Sequence, residues 1–290
     1  DNIPIYSSTK ISSLITKHSV TDILLALPSL SRNKRNQIYK DLSALSVRVI
    51  RLPSFETSDE GNLKLSDLFN IDIADLLGRD QVEPNELLLK VNITNKVVMV
   101  TGAGGSIGSE IARQIFFLNP KKIILFEHSE SSLYHIDQEL FNLGNPNIEI
   151  IAILGSVTSR SRVESIFMHY NVQTIYHAAA YKHVPLVEFN QSEGVLNNVV
   201  GTWVIANAAI ASNVETFVLI STDKAVRPTN TMGATKRISE LVLQALSKTS
   251  NNTILTMVRF GNVLDSSGSV IPLFRKQIEK GGPVTVTDKN

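Results

Sequence analysis

The chain has 290 residues, of which 43% are hydrophobic and 19% are charged, a balance typical of globular proteins. Its formal net charge of +1 offers no case for nucleic acid or an acidic surface as a partner. It has no cysteine, which excludes disulfides, thiolate metal sites and a cysteine nucleophile. No apolar run is expected to be long enough to span a bilayer, and no signal peptide is visible. The length of the chain predicts two domains rather than one.

The beginning of the chain predicts a small α/β domain. Strands are expected over 22–28 and 47–52, with a basic amphipathic helix over 31–45 between them. This order implies a parallel pair with a right-handed crossover, as in half of a nucleotide-binding fold. The serines and arginine of the turn at 29–32 could hold an anion, but a capped helix on a structural domain is the better interpretation.

A stretch rich in Asp, Pro and Asn at 75–85 marks a domain boundary. Asn85 is predicted to cap a short helix over 86–90. We therefore divide the chain into a small nucleotide-binding-like α/β domain at 1–85 and a second domain at 86–290.

In the second domain strands and helices alternate, which predicts a doubly wound parallel sheet. The predicted strands are 97–101, 122–127, 148–154, 173–177, 215–220 and 253–259. The predicted helices are 107–118, 131–143, 159–170, 191–212 and 233–248. Since ligands in such sheets bind beyond the carboxyl ends of the strands, the residues that follow the strands are the candidates for chemistry.

The first strand of this series ends in glycines spaced G-x-x-G-x-x-G. Gly102 would allow a tight turn, Gly105 would let a pyrophosphate approach the backbone, and Gly108 would let the helix pack closely on the strand. Free N–H groups at the helix start would then face an anion. Because no Lys-Ser/Thr follows the last glycine, a P-loop is disfavoured. The residues predicted to hold a dinucleotide here are Gly102, Gly104, Gly105, Ser106, Ile107 and Gly108.

The next strand ends in Glu127, at about the distance expected for the acid of a dinucleotide fold. A carboxylate there would accept hydrogen bonds from the adenosine ribose and repel a 2′-phosphate. This favours NAD over NADP, although His128 could soften the discrimination.

Small residues follow the strand at 173–177. Ala178, Ala179 and Ala180 would let a cofactor lie close, and Lys182 and His183 would meet a diphosphate or sugar. His177 itself is best interpreted as a hydrogen-bonded core histidine. No pair of histidines has a metal-ligand spacing, so no metal is predicted.

A hydroxyl, a carboxylate and an amine follow the strand at 215–220, at Thr222, Asp223 and Lys224. A capped turn with an exposed ion pair would have the same sequence, but at this place in the fold an acid/base set is favoured. Met232 and Lys236 lie one turn apart on the next helix. Lys236 would reach a nicotinamide ribose, and Asn262, after the last strand, suits a diphosphate or a sugar hydroxyl.

Together these motifs resemble the extended short-chain dehydrogenase/reductase superfamily. They are most similar to the membrane-associated bacterial UDP-N-acetylglucosamine 4,6-dehydratases of surface-polysaccharide and glycan synthesis. The matching stretches are 101–110, 179–188, 221–226 and 232–237, and the likeness covers nearly the whole chain.

The resemblance implies an NAD-containing lyase that converts UDP-N-acetylglucosamine to UDP-2-acetamido-2,6-dideoxy-α-D-xylo-hexos-4-ulose. The superfamily carries Tyr-x-x-x-Lys, and Met232 stands in the Tyr position, as in the C5-retaining branch. The resemblance also implies N-terminal transmembrane helices, a place at the cytoplasmic side of the inner membrane, and a C-terminal sugar-nucleotide segment beyond Asn290. Two residues depart from the family pattern: Ser156 stands for the usual Asp, and Asp265 for the usual Gly.

For this reaction we assign Lys224 as the base at C5, made partly neutral by burial and by neighbouring positive charge. Asp223 would be the general acid at the C6 hydroxyl, its proton held by an apolar site. The two proton roles could be exchanged. Thr222 would hydrogen-bond the C4 oxygen, and because a thioether cannot take the C4 hydroxyl proton, Asp223 is the candidate acceptor.

Two other interpretations stay open. One is another nucleotide-sugar enzyme, an epimerase or a 4-reductase, although epimerases need the Tyr that Met232 replaces. The other is a non-catalytic nucleotide-sensing domain.

A homodimer is also expected, because relatives pair through the helices equivalent to 191–212 and 233–248. The apolar stripe on the second of these helices would otherwise pack on the sheet. Its members are Ile238, Leu241, Val242, Ala245 and Leu246.

Overall fold

The computed structural model describes residues 4–27, 47–51, 84–250, 252–263 and 270–286, with isolated positions at 34, 37–38, 41–42, 45, 69–70 and 82. By its internal packing the chain divides into two units, Asp1–Glu83 and Pro84–Asn290. Each unit is described by itself. The functional labels predicted for 1–85 and 86–290 stay predictions.

The first unit contains a small sheet. Helix α1 (Ile11–His18) precedes strands β1 (Asp22–Leu25), β2 (Arg48–Arg51) and β3 (Phe69–Asn70). β1 and β2 are parallel, as predicted, while β3 pairs antiparallel with β2 and was not expected, nor was α1. Most of the predicted helix 31–45, the turn at 29–32 and the stretch 75–81 lie outside the described residues.

The second unit is built on a six-stranded parallel sheet. Its strands are β4 (Val97–Thr101), β5 (Lys122–Glu127), β6 (Glu149–Leu154), β7 (Thr174–His177), β8 (Thr216–Thr222) and β9 (Ile254–Phe260). They lie in the order β6-β5-β4-β7-β8-β9. The predicted doubly wound sheet is confirmed.

Helices connect the strands. They are α2 (Glu86–Val91), α3 (Ser106–Phe117), α4 (Glu130–Asn142), α5 (Arg160–Tyr170), α6 (Val184–Phe189), α7 (Gln191–Val195), α8 (Gly201–Ala211), α9 (Thr231–Ser247) and α10 (Val270–Glu279). Asn85 caps α2 as predicted, its side-chain oxygen accepting from the backbone N–H of Leu88 at 3.2 Å. The short helix α6 and the final helix α10 were not predicted.

Both faces of the sheet are covered, because residues of each central strand alternate between two cores. Val98 and Val100 of β4 pack with apolar residues of α3 and α4. Val97 and Met99 pack on the other side with residues of α5 and α8. All five residues of β4 are buried, which is why its sequence is a continuous apolar run.

One helical stretch is apolar enough in length and composition to cross a membrane. Gln191–Ala211 spans 21 residues, close to the predicted 191–212, and contains an 18-residue window with a mean hydropathy of 1.3. The expectation that no apolar run is long enough was wrong by this measure. Half of that window is buried within the unit, where α8 packs against α5 and α9, so it is a core helix.

The order of the strands fixes where a ligand can enter. β4 pairs with β5 on one side and β7 on the other, so successive connections leave it in opposite directions. A crevice opens at such a reversal, outside the carboxyl ends of the strands. The predicted site residues follow these ends.

Candidate active site

The glycine turn after β4 has the geometry expected of an anion-binding turn. Gly102 has a φ of 66°, the left-handed region that a side chain disfavours. A Cβ on Gly108 would lie 2.0 Å from the carbonyl oxygen of Gly102, so only glycine lets α3 start this close to the strand. Gly105 precedes α3, and no side chain caps that helix start. A helix start without a side-chain cap can bind an anion through its first N–H groups.

Glu127 ties the end of β5 to this turn. Its buried carboxylate accepts hydrogen bonds from the backbone N–H groups of Gly104 at 3.0 Å, His128 at 2.9 Å and Ser129 at 3.0 Å. The His128 imidazole lies 2.9 Å from the same carboxylate. The predicted ribose acceptor is thus also a structural brace for the glycine turn.

A cleft of about 980 Å³ runs along the carboxyl ends of the strands. The predicted site residues that line it are Gly102, Gly104, Gly105, Ser106, Ile107, Gly108, Ala178, Ala180, Lys182, His183, Thr222, Lys224, Met232, Lys236 and Asn262. A smaller cleft of about 210 Å³ shares the glycine turn and adds Glu127, Ala179 and Ser156. Of the predicted site residues, Asp223 alone lines neither cleft.

His177 is a core histidine, as predicted. It is fully buried, with Nδ1 2.7 Å from the Thr101 hydroxyl and Nε2 3.0 Å from the Thr202 hydroxyl. Because Thr202 donates its own proton to the carbonyl of Asn198, Nε2 carries the ring proton and Nδ1 accepts from Thr101. Burial, and next the charge of Lys236, lowers the pKa of His177 to about 3, so the ring is neutral.

The acid/base set is joined by hydrogen bonds. The Thr222 hydroxyl donates to Asp223 Oδ1 at 2.9 Å, and Lys224 Nζ donates to the same oxygen at 3.2 Å. Lys224 Nζ also donates to Asn262 Oδ1 at 3.0 Å. Asn262, predicted only as a substrate ligand, therefore contacts the predicted base.

Two expectations about this set are corrected. Thr222 does not follow β8 but ends it, because the register with β9 continues to Phe260. Asp223 was expected to keep its proton in an apolar site. Its side chain is instead 55% exposed, and hydrogen bonds from Thr222 and Lys224 lower the pKa of the carboxyl below its usual range.

The burial predicted for Lys224 is found at Lys236 instead. The Lys224 side chain is 37% exposed, whereas Lys236 is 5% exposed. Burial lowers the pKa of Lys236 to about 8, while the charge of Glu240 acts to raise it. Met232, one turn earlier, is buried beside the cleft.

Sequence reasoning missed Glu240, which has no exposed surface. Arg259 donates to its carboxylate from Nε at 2.7 Å and from Nη2 at 2.6 Å, Ser221 donates at 2.6 Å and Arg237 at 3.0 Å. Burial alone would raise the pKa of Glu240, but these hydrogen bonds lower it to about 2. Ser221 and Arg259 are register partners on β8 and β9, so Glu240 joins α9 to both strands directly below the acid/base set. A charged residue on the buried face of α9, four residues after Lys236, was the available signal.

Other lining residues were missed. Leu186 and Val187 lie on α6, which was not predicted, and Glu193 lies on α7, within the predicted helix 191–212. The Pro at the start of α6 was the signal for this short helix. Among the described residues, no three His, Asp or Glu side chains converge as metal ligands would.

Comparison with known proteins agrees with this geometry. The model of a family described as polysaccharide biosynthesis protein matches residues 98–290, which is more than half of the chain. The chain belongs to this family.

Within the family, the chain is similar to the capsular polysaccharide biosynthesis protein CapD of Staphylococcus aureus. The two are 46% identical over 277 residues, covering 96% of this chain and 46% of CapD. The chain thus spans about half the length of this relative.

Two solved structures are informative. Pen from Bacillus thuringiensis is 38% identical with a TM-score of 0.63, over 68% of this chain and 62% of Pen. DesIV, a dTDP-glucose 4,6-dehydratase from Streptomyces venezuelae solved with NAD and TYD bound, is 22% identical. Its TM-score is 0.55, over 65% of this chain and 63% of DesIV, a likeness that shows the shared fold.

Proposed function

We propose that this polysaccharide biosynthesis protein is a nucleotide-sugar 4,6-dehydratase that uses bound NAD and acts on UDP-N-acetylglucosamine. The observation that carries the proposal is the hydrogen-bonded set of Thr222, Asp223 and Lys224 in which two members line the same cleft as the glycine turn. Elimination of water needs a base and an acid side by side, which simple redox chemistry does not. The resemblance to UDP-N-acetylglucosamine 4,6-dehydratases supplies the substrate and the product, UDP-2-acetamido-2,6-dideoxy-α-D-xylo-hexos-4-ulose.

The residues of the turn fit NAD. The uncapped start of α3 suits a pyrophosphate, and a Cβ on Gly105 would meet only the Gly102 carbonyl oxygen, at 3.3 Å. Among the described residues nothing else approaches that Cβ, so a ligand can come close to the Gly105 backbone. Glu127 lines the adjoining cleft, where it would repel a 2′-phosphate. When bound, NAD would take a hydride from C4 of the sugar and return it to C6.

The chain's own residues would move two protons. The Thr222 hydroxyl points its proton at Asp223, so the C4 hydroxyl proton would pass through Thr222 to the Asp223 carboxylate. The lowered pKa of Asp223 means that this group starts ionised and can accept it. Protonated Asp223 would then give the same proton to the C6 hydroxyl, which leaves as water. Lys224 would take the C5 proton and later return it.

Met232 and Lys236 complete the set. The thioether of Met232 cannot accept a proton, so the Thr222–Asp223 pair supplies the acceptor that the superfamily's Tyr would provide. Lys236 would hold the nicotinamide ribose, and Lys182 and His183 would meet the diphosphate or the sugar. An epimerase or reductase is the second candidate for the cleft, and Met232 counts against the epimerase. A non-catalytic nucleotide sensor is the third, and the retained set of Thr222, Asp223 and Lys224 argues against it.

The test is incubation of the full-length protein with UDP-N-acetylglucosamine in heavy water, followed by proton NMR and mass spectrometry. Loss of water, a new C6 methyl signal and deuterium at C5 are expected. In a Lys224→Ala variant, deuterium exchange at C5 should disappear. Unchanged substrate with NAD bound would contradict the proposed substrate, and exchange that survives Lys224→Ala would contradict the assignment of the base.

We also propose that the protein is a homodimer at the cytoplasmic side of the inner membrane. Partly exposed apolar side chains on the two helices expected to pair support the dimer, since each is about 45% exposed. They are Ile238 and Leu241 on α9, Trp203 on α8, and Leu196 just before α8. The membrane location rests on the resemblance to membrane-associated dehydratases, and fractionation of cells that express the full-length protein tests it.

A further inference from the structure

The register of two neighbouring strands brings Lys224 and Asn262 together. The last paired residues of β8 and β9 are Thr222 and Phe260. Lys224 and Asn262 each lie two residues beyond that pair, in the segments that follow β8 and β9 at the same edge of the sheet. Their contact is therefore a consequence of sheet register, although 38 residues separate them in sequence.

The orientation of the Asn262 amide follows from the chemistry of its partner. In its charged form the Lys224 amine only donates hydrogen bonds, so the amide presents its oxygen to Nζ, and the two N–H bonds that Asp223 and Asn262 accept remain when the third proton leaves. That oxygen is 3.0 Å from Nζ. The amide nitrogen makes no hydrogen bond to the part of the chain that the structure describes.

The two hydrogen bonds of the Lys224 amine determine the direction of its lone pair. A neutral amine has two N–H bonds and one lone pair in a tetrahedral arrangement. Asp223 accepts at 3.2 Å and Asn262 at 3.0 Å, and the two acceptors come from different strand ends. Two acceptors use both N–H bonds, so the lone pair has one remaining direction.

We propose that Asn262 is a positioning residue for the predicted base: together with Asp223 it fixes the two N–H bonds of neutral Lys224, so that the lone pair faces the substrate cleft. This inference deepens the proposed dehydratase function and rests on it. It assigns Asn262 a role in proton abstraction at C5, beyond contact with the diphosphate or sugar.

The two possible roles of Asn262 predict different kinetics. Loss of a substrate contact made equally in the ground and transition states raises KM and leaves kcat unchanged. Loss of lone-pair alignment lowers kcat and the rate of C5 exchange while KM stays nearly constant. Asn262 lies outside the hydrophobic core, so its replacement should not unfold the protein.

Asn262 is neutral, whereas Asn262→Asp would place a negative charge next to Nζ. That charge favours the protonated amine, which has no lone pair.

The experiment compares Asn262→Ala and Asn262→Asp with the wild type in the full-length protein. Asn262→Ala should lower both kcat and the rate of C5 deuterium exchange by roughly 10- to 100-fold, as for a misaligned general base, with KM changed by less than about threefold. Asn262→Asp should also lower kcat, because the added negative charge favours the protonated amine, which cannot act as a base. Asn252→Ala is the matched control, because Asn252 lies near the opposite end of β9 and contacts Asn213; it should leave activity unchanged.

A second readout does not depend on activity. Reductive methylation reacts with the lone pair of an amine, so its rate at Lys224, followed by mass spectrometry without substrate, reports on that lone pair. The rate should fall in Asn262→Asp and stay unchanged in Asn252→Ala. A raised KM with unchanged kcat and exchange in Asn262→Ala would overturn the inference, as would an unchanged methylation rate in Asn262→Asp. A wild type that releases no water, but in which Asn262→Asp still slows methylation, would refute the dehydratase and leave the contact between Asn262 and Lys224 standing.

Discussion

His177 shows how one buried side chain makes the stability of the second unit depend on pH. Its pKa is lowered from 6.5 to about 3 in the folded state, so protonation favours the unfolded chain. The stability that the neutral ring contributes is fully present above about pH 6.5 and is lost as the pH falls toward 3. Below 6.5 the loss is about 1.4 kcal/mol per pH unit.

We therefore expect the wild type to lose about 2 kcal/mol more between pH 7 and 5 than His177→Gln, which cannot be protonated. Urea unfolding followed by tryptophan emission measures this, because the single tryptophan of the chain, Trp203, lies in the second unit. The exposed His169 is the control, and His169→Gln should keep the pH dependence of the wild type. Equal pH dependence in the wild type and His177→Gln would contradict the buried neutral ring.

Glu240 should matter more to stability than other acids that pair with arginine. Its replacement by Gln would remove the buried negative charge that pairs with Arg259 and Arg237 and would replace one of the two acceptor oxygens by an NH2 donor. A loss of about 3 kcal/mol in the free energy of unfolding is expected, as for breaking a buried pair. Glu139 pairs with Arg113 at the surface, where its side chain is 43% exposed.

The matched variant Glu139→Gln should therefore cost less than about 1 kcal/mol in the same unfolding assay. Removal of Glu240 also removes the charge that raises the pKa of Lys236, so that pKa should fall below about 8 in Glu240→Gln. Similar losses of unfolding free energy in Glu240→Gln and Glu139→Gln would show that burial does not make Glu240 more important for stability than a surface acid.

Individual residues could be predicted from the sequence where local chemistry decides their role. The glycine turn, Glu127 and the core role of His177 follow from residue type and position after a strand. The contacts of Lys224 with Asn262 and of Glu240 with Arg259 could not be predicted, because they depend on which strands are neighbours. The protonation of Asp223 was misjudged for the same reason, since burial is a property of the folded chain.

At the scale of elements, the π-helical segment Leu196–Val200 lies between α7 and α8 and connects two elements that line the cleft. It holds Asn198, which is buried. Asn198 Oδ1 accepts from the backbone N–H of Tyr181 at 2.8 Å. Its Nδ2 lies 3.0 Å from both the Tyr181 carbonyl and the Thr235 hydroxyl. The loop after β7 and the helix that carries Met232 are therefore joined through one side chain.

Replacement of Asn198 by Leu should destabilise the second unit by about 2–4 kcal/mol, because it leaves buried backbone and hydroxyl groups without partners. The neighbouring Asn197 is partly exposed, and Asn197→Leu should cost less than about 1 kcal/mol. Thermal or urea unfolding of both variants measures the difference. Equal losses would mean that the π-helical segment tolerates a loss of its polar contacts.

Most elements of the second unit were predictable because their apolar patterns are long and regular. Their ends were less so: β8 continues to Thr222 because β9 pairs with it that far. Helix α9 starts two residues earlier than predicted because Asn230 caps it, accepting from the N–H of Gly233 at 2.8 Å. The short α6 has too few residues for a helical period to be visible in sequence.

At the scale of the whole second unit, the apolar stripe on α9 divides between two environments. Leu246 packs against the main core, and Val242 is partly buried. Ile238 and Leu241 are 44% and 45% exposed, so the alternative that the entire stripe packs on the sheet does not account for them. Such side chains on adjacent helices are typical of a surface that pairs with another protein, and a second copy is the partner we propose.

Trp203 allows the dimer to be tested directly, because it is the single tryptophan of the chain and is 44% exposed beside these residues. If two copies pair through α8 and α9, the wild type should sediment as a dimer, and dilution should shift its tryptophan emission to longer wavelength as Trp203 meets water. Leu241→Glu would bury a charge in that interface, which should weaken association at least 100-fold, the equivalent of about 3 kcal/mol.

Phe141→Glu is the matched control. Phe141 is 71% exposed on α4, a helix that packs with β5 and β6 rather than with α8 or α9. A charge there should change neither the sedimentation nor the emission of Trp203. If Leu241→Glu leaves the dimer intact, the copies pair through another surface. If the wild type stays monomeric at every concentration, the exposed residues of α8 and α9 do not form a dimer interface.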